Sequence, residues 1–204
     1  VKTGQLIVQG GGFVSANIHS PVTGKVMKID TVPDASGYKR QAIVIKTAED
    51  EWAEGIDTSP DLRREIALGK DEIIKKIQEA GIVGLGGATF PTHVKLQPPK
   101  GMTAEVLIIN GVECEPYLTI DHRLMLERGE ELMVGTQILM KALGVKRAII
   151  GIENNKKDAV KYLRKIAPKF DKGIEVEPLK VKYPQGGEKQ LIKSLLKREV
   201  PSGG

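Results

Sequence analysis

The sequence is poor in cysteine and aromatic residues and contains no long apolar run. Among its 204 residues there is one cysteine, Cys114, and aromatic residues make up 4%. One thiol excludes an internal disulfide framework and cannot by itself hold a zinc ion or an iron–sulfur cluster, which fits a reducing compartment. No segment approaches the roughly 18 apolar residues that a membrane-spanning helix needs, so we do not expect this stretch to cross a membrane.

Charge is spread along the chain rather than concentrated. The net charge of +5 comes from 31 basic and 26 acidic residues, and many lysines lie on helix-like stretches such as "NNKKDAVKYLRKIAPK". With few aromatic side chains to stack on bases, this pattern favours a solvated face, and we expect no nucleic-acid partner. Anionic cofactors or lipid headgroups remain possible partners. The chain opens on Val1 and closes on "VPSGG", which indicates a fragment of a longer protein.

Residues 1–50 carry short β-branched runs separated by Gly, Pro, Asn and Asp turns, which predicts a small all-β module. The run "HSPVTGKVMKI" resembles the Pro-x-x-Gly-x-Val element of lipoyl and biotinyl carrier folds. A carrier would present a modifiable lysine on a hairpin tip beside acidic residues or Met. The nearest candidates, Lys25, Lys28 and Lys39, lack that context. The module is therefore interpreted as a structural sandwich rather than a swinging-arm carrier.

The sequence period changes after residue 50. The segment "GIDTSPDLRREIALGKDEIIKKIQEAG" predicts helical structure, with Ser59 and Asp71 as N-caps and Gly81 as the glycine that ends the helix. After residue 100, apolar strand-like runs at 104–110, 146–153 and 174–183 alternate with helical stretches, the first of which breaks near Gly129. This alternation predicts a mostly parallel α/β sheet with ligands beyond the carboxyl ends of its strands.

The stretch "GIVGLGGATFPTHVKL" places four glycines within residues 81–87. It follows a helix rather than a strand, which excludes a standard dinucleotide fingerprint. Gly84, Gly86 and Gly87 could form a backbone cradle for an anion. The following "FPTHVK" predicts a helix whose N-terminus favours a phosphate, and Lys95 adds a positive charge. The alternative is a tight turn where a helix crosses a sheet, and glycine density alone does not decide between the two.

Two further clusters fall at predicted strand ends. In "NGVECEPYLTIDHR", Asn110, Glu113 and Glu115 could bind ribose hydroxyls, accept amide hydrogen bonds or transfer protons, or could form a merely polar loop. Their charges disfavour a thiolate at Cys114, so a nucleophilic role is not expected. The stretch "KYPQGGEKQLI", residues 182–192, is another backbone-exposing turn. The three histidines lie in separate contexts, and we expect no metal site in this chain.

In this order and spacing, the three clusters resemble the C subunit of the Rnf electron-transport complex, which is similar to the NADH-binding flavoprotein subunit of respiratory complex I. The resemblance covers the whole chain. It implies a lipoyl-like barrel-sandwich module at 1–50, incomplete at its N-terminus, and a Rossmann-like parallel α/β flavin domain at 51–204, incomplete at its C-terminus. It further implies FMN as cofactor, NAD(H) as substrate, and 4Fe-4S clusters C-terminal to this sequence.

The resemblance also implies a mechanism and a place. Hydride would pass between nicotinamide and flavin, and single electrons would then pass to the iron–sulfur clusters, so no side chain is expected to be catalytic. The partners would be other subunits of a membrane complex that translocates ions, at the cytoplasmic face of the bacterial plasma membrane. The fragment itself is expected to be inactive. Alternatives are a soluble relative, such as a cobalamin reductase or an NAD-linked hydrogenase or formate dehydrogenase subunit, and a non-catalytic docking scaffold.

Carried onto single positions, the resemblance implies two sets of binding residues. Leu85, Val112 and Gly187 depart from the complex I pattern, in which polar residues stand, and this leaves fewer polar contacts to both ligands. Phe90 is implied to stack on the NADH adenine, Glu115 to lie near the nicotinamide, and Glu188 to close the NADH side. The implied FMN residues are Gly84, Gly86, Gly87, Lys95, Asn110, Glu113, Tyr183 and Gly186.

Overall fold

The computed structural model describes residues 1–86 and 88–201. The chain divides into two compact units, and each is described by itself. The first holds Val1–Asp61 and Ile74–Lys95, and the second holds Leu62–Ile73 and the chain from Leu96 onward. The expected fold class, a β module followed by a parallel α/β domain, is confirmed.

Two antiparallel pairs build the β part of the first unit. Strand β1 (Leu6–Val8) pairs with β2 (Ile18–His19), and β3 (Gly24–Pro33) pairs with β4 (Lys39–Thr47). The turn between β3 and β4 forms because the Asp34 carboxylate accepts the N–H groups of Ser36 and Tyr38, at 2.9 and 3.0 Å. Lys25 and Lys28 lie within β3, whereas Lys39 begins β4 directly after the turn, so the structural interpretation of this module stays a prediction.

Helix α1 (Lys70–Glu79) is shorter than the sequence predicted. Residues 59–68 form no regular helix, so the N-cap prediction for Ser59 is wrong. The backbone is diverted there because the Asp57 carboxylate accepts the Ser59 N–H at 3.0 Å, and Pro60 follows.

The ends of α1 show which residues bound it. Asp71 lies inside the first turn and is not the N-cap. The carbonyl of Gly69 instead accepts the Ile73 N–H at 3.0 Å, while the Glu72 carboxylate accepts the Gly69 N–H at 2.8 Å. The C-terminal prediction is confirmed, because Gly81 has φ +66°. A single-turn helix, α2 (Thr92–Lys95), closes the first unit.

The second unit is a three-stranded parallel sheet with helical crossovers. Its strands, in the order β5-β6-β7, are β5 (Leu107–Gly111), β6 (Ala148–Glu153) and β7 (Ile174–Leu179). The helices are α3 (Ile120–Glu127), α4 (Gly129–Leu143), α5 (Lys157–Phe170) and α6 (Glu188–Leu196). The predicted break at Gly129 is confirmed, and a Cβ there would lie 2.5 Å from the Tyr162 ring, so glycine permits close packing.

The core of the second unit is divided between the two faces of the sheet. One face packs against α4 and α5 through fully buried side chains such as Met133, Ile150 and Leu163. Helix α6 lies over the other face, where a Cβ on Gly151 would meet Leu191 at 3.1 Å. Across residues 1–86 and 88–201, none of the helices has the length and apolar character that a membrane span requires.

Candidate functional site

The glycine-rich stretch forms a closed loop, here named the glycine hairpin (residues 82–92). The Gly84 N–H donates to the Phe90 carbonyl at 2.9 Å, and the Thr92 N–H donates to the Ile82 carbonyl at 3.0 Å. Between these contacts the backbone is open at Gly86, because a Cβ there would meet no atom of the described residues within 4 Å. Gly87 lies outside the described residues. The hairpin therefore presents bare backbone at Gly86.

Positive charge at the glycine hairpin comes from Lys95. Its ammonium lies 2.6 Å from the position that a Cβ on Gly84 would occupy, so it packs against the loop backbone. The predicted helix after the glycines is present as α2, but it has only four residues, so its N-terminal dipole contributes little. Among described residues, the N–H groups of Leu85 and Gly86 have no backbone acceptor. Such N–H groups, on a loop that the Lys95 ammonium contacts at Gly84, suit an anion such as a phosphate.

The rest of the hairpin is anchored within the first unit. Phe90 is 40% exposed, so its ring is accessible. His93 is buried, and its Nε2 lies 3.0 Å from the Phe13 carbonyl oxygen, with the two rings edge to face. This contact fixes the chain between the end of the hairpin and Lys95.

In the second unit, Asn110 joins the end of β5 to the loop that precedes α6. Its Nδ2 donates to the Gly186 carbonyl at 2.9 Å, while its Oδ1 accepts the Val112 N–H at 3.2 Å. A Cβ on Gly186 would lie 3.2 Å from the Val112 carbonyl oxygen, so the two loops touch. The structure therefore brings Asn110 and Gly186 together, and nearby in sequence Tyr183 is 73% exposed.

Glu113 is buried and its carboxylate is engaged inside the protein. The Asp121 and His122 N–H groups donate to it at 2.7 and 3.1 Å, and the Lys156 ammonium lies 3.4 Å away. The side chain thereby caps the start of α3, where the N-cap residue Thr119 makes no side-chain cap. The flavin contact of Glu113 stays a prediction, and its carboxylate has a different task here. Burial and, less strongly, the charge of Glu113 raise the pKa of Asp121.

The remaining carboxylates expected at the site are accessible. Glu115 and Glu188 are both exposed. The Cys114 thiol donates toward the Glu115 carboxylate across 3.7 Å. Within the described part of the chain, no group of three or more His, Cys, Asp or Glu side chains is arranged to hold a metal ion.

Glu153 and Lys156 are not among the predicted binding residues, although the sequence does place residues 153–155 at the carboxyl end of a predicted strand, where ligands are expected. Glu153 ends β6 with 1% of its surface exposed, and neither of its carboxyl oxygens has a hydrogen-bond partner among the described residues. Burial raises the pKa of Glu153; the nearby backbone N–H of Glu113 and the Lys156 ammonium oppose this, while the charges of Glu113 and Glu115 add to it. The available signal was an acidic residue ending an otherwise apolar strand, "AIIGIE".

A second pair near this point links α3 to α5. The His122 Nε2 lies 2.8 Å from an Asp158 carboxylate oxygen. This hydrogen bond, followed by that from the Ala159 N–H, lowers the pKa of Asp158. The pair joins two helices and was also missed, because its members are 36 residues apart.

The bare glycine hairpin and the polar strand ends of a parallel sheet are features of a cofactor-binding α/β protein. Residues 77–204 match the Nuo51 FMN-binding domain, and residues 1–50 match the RnfC barrel sandwich hybrid domain. The first match covers more than half of the chain, so the chain belongs to the Nuo51 FMN-binding domain family.

Two relatives show how the chain compares with whole proteins. The C subunit of the proton-translocating ferredoxin:NAD(+) oxidoreductase complex of Clostridium ljungdahlii is 50% identical over 205 residues, which is 100% of this chain and 44% of that protein. The C subunit of the Na(+)-translocating complex of Acetobacterium woodii is 45% identical over 207 residues, 100% of this chain and 45% of that protein. The chain spans less than half the length of either, and the predicted resemblance to Rnf C subunits is confirmed.

A solved structure supports the fold. The crystal structure of an NAD+-reducing [NiFe]-hydrogenase in the air-oxidized state superposes with a TM-score of 0.58 and 27% identity, over 62% of this chain and 23% of that one. More than half of this chain therefore has a fold that a solved oxidoreductase structure also contains.

Proposed function

We propose that this chain is the FMN- and NAD(H)-binding part of an Rnf-type, ion-translocating NAD:ferredoxin oxidoreductase, peripheral to the cytoplasmic face of the bacterial plasma membrane. Its partners are the other subunits of that complex, and its 4Fe-4S clusters belong to sequence C-terminal to residue 204. Residues 1–50 form the barrel-sandwich domain and residues 51–204 the flavin domain. The names of the relatives and the FMN-binding family support this assignment.

The observation that carries the proposal is the glycine hairpin. Its tip holds bare backbone at Gly86, and the N–H groups of Leu85 and Gly86 have no backbone acceptor among the described residues, with the Lys95 ammonium packed against Gly84. An FMN phosphate needs such donors, and its ring needs close approach to backbone. The donor set therefore fits the cofactor.

We assign the ligand contacts to the residues that the resemblance implied. FMN is held by Gly84, Gly86, Gly87, Lys95, Asn110, Glu113, Tyr183 and Gly186, and NADH by Phe90, Glu115 and Glu188. When bound, FMN supplies hydride acceptance from NADH and release of single electrons. The chain's own residues bind and orient the ligands: Lys95 neutralises phosphate charge, the exposed Phe90 ring offers a stacking surface, and Asn110 keeps the Gly186 loop in place.

A second candidate is a soluble flavoprotein subunit. The likeness to the NAD+-reducing hydrogenase favours it, at 27% identity. The identity of 50% to an Rnf C subunit favours the first candidate. Co-purification with membranes in the native cell separates the two, since a soluble enzyme stays in the supernatant.

The test is an FMN titration of the chain, followed by quenching of flavin fluorescence, with Gly86→Val and Gly11→Val compared with the wild type. A Cβ at either glycine meets no atom of residues 1–86 and 88–201 within 4 Å, so both variants should keep the fold, and Gly11 lies outside the hairpin. Because valine side-chain atoms occupy the space that the flavin requires, Gly86→Val should weaken binding at least about tenfold, equivalent to about 1.4 kcal/mol.

Gly11→Val should bind FMN as the wild type does. Circular dichroism and thermal melting of all three proteins check that they are folded. Equal affinity in Gly86→Val and the wild type would contradict the role of the hairpin. If the wild-type chain shows no saturable quenching, the same titration on the full-length protein separates a truncated site, which then binds FMN, from a scaffold, which does not.

A further inference from the structure

Three ionisable side chains meet at the carboxyl edge of the sheet in the second unit and are almost shielded from water. The Glu113 and Lys156 side chains are 3% and 12% exposed, and Glu153 is 1% exposed as a residue. Glu113 follows β5, Glu153 ends β6, and Lys156 directly precedes α5. We name these three residues the buried charge cluster.

The two carboxyl groups of the cluster differ in their hydrogen bonds. Glu113 accepts two backbone N–H groups and lies 3.4 Å from the Lys156 ammonium, as an ionised carboxylate requires. Neither Glu153 oxygen has a hydrogen-bond partner of full geometry within the part of the chain that the structure describes, although the Glu113 backbone N–H lies near enough to oppose the rise in the pKa of Glu153. One ammonium cannot balance two buried carboxylates, and an uncompensated buried charge is strongly unfavourable. The geometry thus selects Glu153 as the group that stays neutral.

We propose that Glu153 is a proton-binding site, which carries a proton in the resting protein. Loss of this proton leaves the carboxylates of Glu113 and Glu153 in competition for the Lys156 ammonium. The charged groups that face it are Glu113 and Glu115 from the loop after β5, and Lys156 from the start of α5. Since Glu113 caps α3 and lies in the loop of Glu115, a change of protons at Glu153 is transmitted to that loop. Glu153 acts there as a positioning residue.

Proton binding makes stability depend on pH in a defined direction. In the folded protein the pKa of Glu153 lies above the ordinary value of 4.5. At pH values between 4.5 and this raised pKa, the folded state therefore holds more protons than the unfolded state. The free energy of unfolding therefore falls as pH rises through this window. Glu153→Gln mimics the neutral acid and should abolish that fall, so that the variant is the more stable protein above the window.

The experiment observes the carboxyl carbon directly. The chain is labelled with 13Cδ-glutamate and titrated by NMR, and the Glu153 resonance is identified by its loss in Glu153→Gln. We expect it to keep the protonated shift after the resonances of exposed glutamates have changed. Glu65→Gln, an exposed position in the same unit, is the matched control and should leave that resonance and the pH dependence of stability unchanged.

Two results would overturn the proposal. One is a Glu153 resonance that titrates together with the exposed glutamates. The other is a Glu153→Gln variant less stable than the wild type at neutral pH, which would indicate an ionised Glu153 paired with Lys156. If the variant does not fold, assignment of the carboxyl resonance through the backbone of the wild type gives the same titration.

A consequence for the ligand rests on the proposed function. Ionised Glu153 adds a negative charge behind the strand-end loop, so FMN affinity should fall more steeply with pH in the wild type than in Glu153→Gln. Equal slopes in the two proteins would contradict transmission to the loop. Absence of FMN binding in both would contradict the proposed function, while the NMR titration decides proton binding by itself.

Discussion

Replacement of Gly81, the glycine that ends α1, by alanine should destabilise the fold strongly. It has φ +66°, and a Cβ there would lie 2.2 Å from the Asn17 carbonyl oxygen. The Asn17 Nδ2 also donates to the Glu79 carbonyl at 3.1 Å, and its Oδ1 accepts the Gly10 N–H at 3.0 Å. A side chain at Gly81 would therefore push back a backbone segment that is tied to the helix end.

The magnitude follows from a matched glycine. Gly55 lies in the same unit with φ +82°, but a Cβ there meets no atom within 4 Å. Gly55→Ala should cost only the left-handed backbone strain, about 1 kcal/mol. Gly81→Ala adds the displaced Asn17 segment and at least one hydrogen bond worth about 1 kcal/mol, so we expect a loss of about 3 kcal/mol.

The assay is urea unfolding followed by the fluorescence of Trp52, the single tryptophan, which belongs to the first unit. The difference between the two variants isolates the close approach at Asn17, because both carry the same substitution in a left-handed backbone. A Gly81→Ala variant no less stable than Gly55→Ala would refute the reasoning.

Two further predictions concern the second unit. Arg147 donates to both oxygens of Glu175, at 2.7 and 2.8 Å, which lowers the pKa of Glu175. The pair therefore stabilises the fold above the ordinary pKa of 4.5 and loses that effect as pH falls below it. Arg147→Gln should lower the free energy of unfolding only slightly at neutral pH, because the pair is exposed, and should flatten the acid limb of a pH-stability curve. An unchanged acid limb would contradict this. Tyr117 is fully exposed with φ +69°, so Tyr117→Asn should stabilise the chain by up to about 1 kcal/mol in urea unfolding, and destabilisation would refute a strained backbone there.

The parallel sheet could be predicted from sequence because its signals are local. Strand β6 is apolar until its last residue, and the helix break at Gly129 needs no knowledge of distant residues. The glycine hairpin could also be predicted from the sequence, because the bare backbone at Gly86 depends on the residue itself and not on distant contacts.

Other features depended on contacts that the sequence does not display. The non-helical stretch 59–68 carries helix-forming residues, but the Asp57 side chain captures the backbone before a helix can start. The role of Glu113 was hidden because its partners, the N–H groups of Asp121 and His122, lie eight and nine residues later. Burial of Glu153 is a property of the assembled sheet, so it could not be predicted from an acidic residue at the end of a strand in the sequence.

The two faces of the sheet should differ in how readily they open. The face under α4 and α5 is covered by many fully buried side chains, whereas α6 spans nine residues and buries Leu191 as its only buried position among those described. Local opening free energy scales with such coverage. Amide hydrogens of α6 should thus exchange with solvent before those of β6, and we expect those of the Gly186 loop leading into α6 to exchange early as well. A ligand that contacts this loop would slow that exchange, which makes hydrogen exchange a reporter of occupancy that needs no optical signal from the cofactor.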